Sequence, residues 1–173
     1  MKKILLIALL TFGTLSYAED FDSFIGIQAG ATNVNIDTNP SESQRGTSYG
    51  LRLGFIKDTG RVYITAQTAG LDDSDLSSIA LNFDAITPRA YRFNDSFSIR
   101  GFIGLHGGAV QIKPDNFDDD EGAMGGGQAG ILLDFPAEIT LEIGAKGTWA
   151  AIDFGPERVK NYQNIYAAFD YTF

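Results

Sequence analysis

From Ser48 to Phe55 the chain alternates without a break, with Tyr49, Leu51, Leu53 and Phe55 at odd positions and Ser48, Gly50, Arg52 and Gly54 at even ones. The same period of two runs from Glu138 to Ala151. There Ile139, Leu141, Ile143, Ala145, Gly147, Trp149 and Ala151 stand against Glu138, Thr140, Glu142, Gly144, Lys146 and Thr148. It returns at the end, with Ile165, Ala167, Phe169, Tyr171 and Phe173 against Tyr166, Ala168, Asp170 and Thr172. A period of two sorts side chains onto the two faces of a β-strand, whereas a helix needs 3.6. The chain therefore reads as all-β.

Turn signals cut it into eight such segments, at 22–34, 47–57, 61–69, 77–92, 97–112, 123–135, 137–152 and 161–173. Lys57-Asp58-Thr59-Gly60, Phe93-Asn94-Asp95-Ser96 and Phe135-Pro136 read as tight turns. Longer polar connections fall at 35–46, 70–76, 113–122 and 153–160. Pro88 interrupts the fourth segment and removes a ladder donor, so a bulge or early strand end is expected there, with Arg89 on the apolar phase. Glycines blur the alternation over 123–130, and the sixth strand is expected to begin late. No linker, domain boundary or internal repeat is visible.

Residues 1–18 have a different grammar. Lys2 and Lys3 precede the apolar run Ile4 to Leu10, and Ser16-Tyr17-Ala18 supplies a small-x-small site. This predicts a cleaved signal peptide with residues 19–173 as the mature domain, because polar residues follow the apolar run too soon for a membrane span. Cleavage removes two lysines, leaving 11 basic against 22 acidic groups. That balance argues against nucleic-acid binding, which needs a basic face. The absence of cysteine excludes disulfides, thiolate metal clusters and a cysteine nucleophile.

Eight amphipathic strands fit a soluble sandwich or a soluble ligand-binding barrel, each with its apolar face inward, or a membrane barrel with that face outward. Three features favour the last. The apolar faces carry aromatics near strand ends, namely Tyr49, Phe55, Tyr91, Phe97, Trp149, Tyr171 and Phe173, as an aromatic girdle requires. The polar faces are mostly Gly, Ser, Thr, Ala and Gln, suited to a narrow lumen. Their mid-strand charges balance, with Arg52, Arg100 and Lys146 against Asp84, Glu142 and Asp170, predicting a buried network.

The ending Phe169-Asp170-Tyr171-Thr172-Phe173, behind a signal peptide of bacterial type, resembles the last strand of bacterial outer-membrane β-barrels. The resemblance implies that Ile165, Ala167, Phe169, Tyr171 and Phe173 form the signal read by the barrel-assembly machinery. A tilted membrane strand takes about 9–11 residues, and eight strands leave about 19 residues for each strand and connection. So small a barrel holds little more than its own side chains, which argues against a general porin. The chain is thus similar to the OmpA/OmpX-like eight-stranded group, an up-and-down antiparallel transmembrane barrel. This implies a monomer among outer-membrane lipid and lipopolysaccharide, with short turns in the periplasm and four loops outside. The implied role is structural or adhesion-like, with an external protein as a possible loop partner and no cofactor.

Two of those loops are acidic: Asp72, Asp73 and Asp75, and then Asp115, Asp118, Asp119, Asp120 and Glu121. As a calcium loop the second fails, because Gly122 is out of step and no glutamate closes the motif. Gly125, Gly127 and Gly130 match a dinucleotide pattern only formally, since the strand Ile131-Leu132-Leu133 follows where a helix is required. His106 is the only histidine. Some barrels of this kind modify lipid A with a histidine, a serine and an acid, and Ser74, Ser77 and Ser78 are within chain reach. A lipid A-modifying enzyme centred on His106 and a soluble periplasmic lipid-binding barrel are the two rival readings.

Overall fold

The computed structural model describes residues 21–36, 42–72, 74–88, 91–94, 97–114, 120–154 and 157–173. The strands are β1 (Asp22–Ile36), β2 (Glu42–Lys57), β3 (Gly60–Leu71), β4 (Ser74–Ile86), β5 (Tyr91–Asn94), β6 (Phe97–Pro114), β7 (Asp120–Phe135), β8 (Ile139–Phe154) and β9 (Glu157–Thr172). They form one antiparallel sheet in the order β4-β3-β2-β1-β9-β8-β7-β6-β5, and β4 pairing with β6 closes it into a ring. β4 and β5 are two pieces of one stave, so the barrel is eight-stranded. The break falls at Pro88, and Thr87 bridges it by donating its N–H to Gly101 O while its hydroxyl accepts from Gly101 N. The closing seam pairs β1 with β9, and Ser23 and Phe173 exchange backbone hydrogen bonds at 2.8 and 3.2 Å.

The apolar faces point outward. Ile27, Leu51, Phe83, Ile103, Leu105, Ile143 and Ile165 are all exposed, while Gln28, Arg52, Asp84, Glu142 and Asn164 on the opposite faces are buried. This inversion is what a lipid solvent selects. Tyr49, Trp149, Tyr171 and Phe173 project outward. Phe97 packs on Phe135 with ring centroids 5.3 Å apart. Phe55, expected in the girdle, is covered, and the side chains of Tyr91 and Arg89 lie outside the described residues.

Several boundaries differ from expectation. Most of the four long connections is strand: Ala69 and Gly70 pair with Leu76 and Asp75, and β7 begins at Asp120, earlier than its glycines suggested. The turn after β7 spans 136–138, where Ala137 and Glu138 take positive φ of 65° and 63° to reverse the chain tightly.

The reason the strands were cut short is a change of phase along the wall. In β1 the inward positions Gly26, Gln28, Gly30 and Thr32 give way to Val34 and Ile36, while the outward Ile25, Ile27, Ala29 and Ala31 give way to Asn33 and Asn35. In β6 the inward row ends on Val110 and Ile112, and the outward row ends on Gln111 and Lys113. Beyond this switch the barrel is built like a soluble one, apolar within and polar without. About five residues per strand at ~3.3 Å rise and ~40° tilt make this collar roughly 12 Å tall.

Interior glycines act as sockets for side chains on neighbouring strands. A Cβ on Gly104 would lie 1.8 Å from Asp84 Oδ1 and 2.5 Å from Phe83 O, whereas one on Gly147, facing outward, would meet nothing within 4 Å. Gly104→Ala is therefore expected to lower stability by about 1–3 kcal/mol through overpacking. Gly147→Ala should change it by less than about 0.5 kcal/mol. Urea unfolding in lipid vesicles measures both, and equal values would remove the socket argument.

Candidate functional site

Among the described residues, the lumen is where the fold gathers polar and charged side chains. Near the end that carries the tight turns, Ile86, Phe102 and Leu132 pack together with Ile56 against them. Above this apolar layer lies an ionic one. Glu142 on β8 offers Oε2 to two guanidinium groups, Arg52 Nη2 from β2 at 2.9 Å and Arg61 Nη1 from β3 at 2.6 Å. Its other oxygen accepts from the Tyr166 hydroxyl at 2.6 Å. Arg61 Nε also binds Asp84 Oδ2 at 2.7 Å, and Gln128 Nε2 donates to that carboxylate's second oxygen. Asp170 stands 3.5 and 3.6 Å from the two arginines. The Tyr63 ring lies between the guanidinium groups, 4.5 and 4.8 Å from their carbons, where the face of the ring favours positive charge.

The fold thus brings Arg52, Asp84, Glu142 and Asp170 together, around an Arg61 that the sequence reading did not include. Arg61 stands directly after a turn, at the start of β3, and shares parity with the buried Tyr63 and Thr65. Lys146 is buried nearby with its Nζ 4.9 Å from the Tyr166 ring centre. Two arginines and Lys146 match three carboxylates in this region. Arg100 stands apart at the rim, in a two-pronged pair with Asp134 at 2.7 Å for each bond. Ser98 and Thr140 complete that carboxylate at 3.1 Å each.

Further out, His106 is buried with Nε2 2.9 Å from Thr148 Oγ1. It lines a void of about 20 Å³ together with Ser78, Asn82, Lys146, Tyr162 and Asn164, among others. Ser74 donates to Gln44 Oε1 at 2.9 Å, and Ser77 meets Thr68 Oγ1 at 3.4 Å, so neither is joined to His106. The collar core closes the lumen above the void, through Val34, Ile36, Leu76, Val110, Ile112 and Met124 among others. Side chains fill the barrel in four successive layers.

Of the acidic positions, Asp72 is exposed and accepts from the Arg45 backbone N–H at 3.3 Å. Asp75 and Glu121 are exposed and Asp120 is half-buried, while Asp73, Asp115, Asp118 and Asp119 lie outside the described residues. Among the described residues no three His, Cys, Asp or Glu side chains gather as a metal site.

The family model described as "Outer membrane protein beta-barrel domain" matches residues 4–173. The chain belongs to this family of outer-membrane β-barrel domains. Membership places this barrel in the bacterial outer membrane and gives its exposed apolar wall a lipid solvent. No curated protein matches the chain. Among solved structures, this outer-membrane barrel is similar to Neisserial surface protein A at 12% identity and a TM-score of 0.58, over 86% of this chain and 97% of that one. It is also similar to Ail, the attachment invasion locus protein of Yersinia pestis, at 15% identity and a TM-score of 0.51, over 89% and 99%. The outer membrane enzyme PagL follows at 16% identity and a TM-score of 0.47, over 86% and 98%. At such identities the likeness is one of fold.

Proposed function

We propose that this outer-membrane barrel is a closed scaffold with a structural or adhesion-like role, presenting its outer segments to a partner beyond the cell. The observation that carries the reading is the filled lumen, in which apolar, ionic, polar and apolar layers succeed one another. Among the described residues, such packing opposes the passage of solutes. The collar lifts the ends of the strands roughly 12 Å beyond the lipid-facing belt, which suits presentation better than transport. Attachment, which the name of Ail carries, is consistent with this reading. The tight turns are assigned to the periplasm and the collar to the outside, following the general plan of such barrels. We assign residues 1–18 as a cleaved signal peptide.

Purified protein in planar bilayers is expected to show no steady ion conductance, and a stable open level of tens of picosiemens or more would overturn the closed scaffold. Partner binding is tested by shortening segments 37–41 and 115–119 and measuring adhesion of the bearing cells. Retention of full adhesion in both would sink the presentation role. The void beside His106 is too small for an acyl chain, so His106→Ala should leave the lipid A mass spectrum unchanged.

The outward row Ile165, Ala167, Phe169, Tyr171 and Phe173 is assigned as the assembly signal. Tyr171 and Phe173 stack with centroids 6.3 Å apart, and Phe173 also helps close the seam. Deleting Phe173 is expected to reduce outer-membrane levels several-fold, against little change on deleting Asp118–Asp120, as read by quantitative blotting.

A further inference from the structure

The single histidine has no role in the scaffold reading, and its surroundings point to one. The void of about 20 Å³ is lined by Asn82, His106, Lys146, Thr148 and Asn164. Asn82 donates its amide N–H groups to the Tyr63 and Ala80 carbonyls and to Thr65 Oγ1, each at 3.1 Å. Carbonyls only accept, so the amide orientation is fixed and Oδ1 is left as an acceptor. Asn164 is fixed in the same way by the Ala31 carbonyl at 3.3 Å, with the Thr32 and Ser48 hydroxyls at 2.7 Å. The Oδ1 atoms of both amides and Nδ1 of His106 are buried and have no protein partner.

The occupant that would satisfy these groups follows from their chemistry. Two obligate acceptors require a donor, which excludes a halide or other simple anion lying against them. A metal cation would need anionic ligands, and among the described residues no three His, Cys, Asp or Glu side chains gather here. Water is small enough for the void, donates to amide oxygens, and exchanges hydrogen bonds of either sense with an imidazole or amine nitrogen. A void of more than about 10–15 Å³ that offers two to four polar partners holds a water molecule. We propose that Asn82, Asn164, His106 and Lys146 form a site for ordered water, sealed outside by the collar core and inside by the ionic layer. His106 then serves as a positioning residue that anchors one wall of the site through Thr148.

The test uses the full barrel in lipid nanodiscs. Long-lived water should give cross-relaxation peaks to the side-chain amide protons of Asn82 and Asn164. A high-resolution crystal structure should place water within hydrogen-bond distance of both Oδ1 atoms. His106→Gln, which keeps polar atoms there, should retain the peaks, and His106→Leu should lose or weaken them at least several-fold. If His106→Leu does not fold, as judged by loss of heat-dependent gel mobility, the wild-type spectra and crystal decide the matter. Xenon density in the void under pressure would mark it as dry and overturn the proposal. Anomalous density from a bromide soak would mark an anion site and overturn it equally.

Discussion

Glu142→Ala is expected to destabilise the barrel by about 3–5 kcal/mol, because it leaves two buried guanidinium groups without the nearer of the two carboxylates they share. Neighbouring carboxylates compensate only in part. Asp170 lies 3.5 and 3.6 Å from the arginines, and Asp84 is already engaged by Arg61 and Gln128. Tyr166 loses its acceptor as well. The paired substitution Arg52→Met with Glu142→Leu removes one charge of each sign and fills the space with apolar atoms. It should cost much less than the sum of its parts, since the side chains form one network. Urea unfolding of vesicle-inserted protein measures the set. A loss below 1 kcal/mol for Glu142→Ala would mean that the layer is held by packing rather than charge. Arg100→Ala provides the contrast, because that pair is partly exposed at the rim and should cost about 1 kcal/mol or less.

A comparable effect is expected on the outside of β6. Leu105→Arg places a charge on a fully lipid-facing position and should cost about 2–4 kcal/mol, the figure for arginine near the bilayer midplane. Gln111→Arg lies on the same face of the same strand, beyond the phase switch, and should cost no more than about 1 kcal/mol. The ratio between the two locates the outer boundary of the membrane. Similar losses at both would place the collar inside the bilayer and remove the case for a projecting scaffold.

How far the fold was legible depends on where the alternation kept its meaning. Within the membrane belt, Leu51, Leu53, Ile143 and Ile165 announce lipid and Arg52, Glu142 and Asn164 announce lumen, and the eight staves follow. At the outer ends Val34, Ile36, Leu76 and Ile112 turn inward on the parity that had been polar. A reader tracking one apolar face sees the pattern stop there and assigns loops. The β-period continues while the solvent changes, and sequence periodicity alone does not tell those two cases apart. The charges show a second limit. Arg52, Asp84, Glu142 and Asp170 share the inward parity, and Arg61 shares it too, entering the layer from the start of β3 on a long flexible stem. Which charges meet depends on strand register and on side-chain length, and neither is visible in a single face. The small void beside His106 is likewise a property of packing among β3, β4, β6, β7, β8 and β9.

The seam between β1 and β9 bears on the order of events in making the molecule. Phe24 pairs with Thr172 and Ala29 with Ala167, so the ring cannot be completed until nearly all of the chain is present. Synthesis from the amino terminus thus cannot yield a stable half-barrel that waits for its remainder. The polypeptide must cross one aqueous compartment open and unsealed before it reaches the bilayer that folds it. Alternation makes that journey tolerable, because an outward Leu or Ile is almost always followed by a small or polar residue. No strand is greasy enough to lodge in the first membrane it meets, and every strand is half ready for the second.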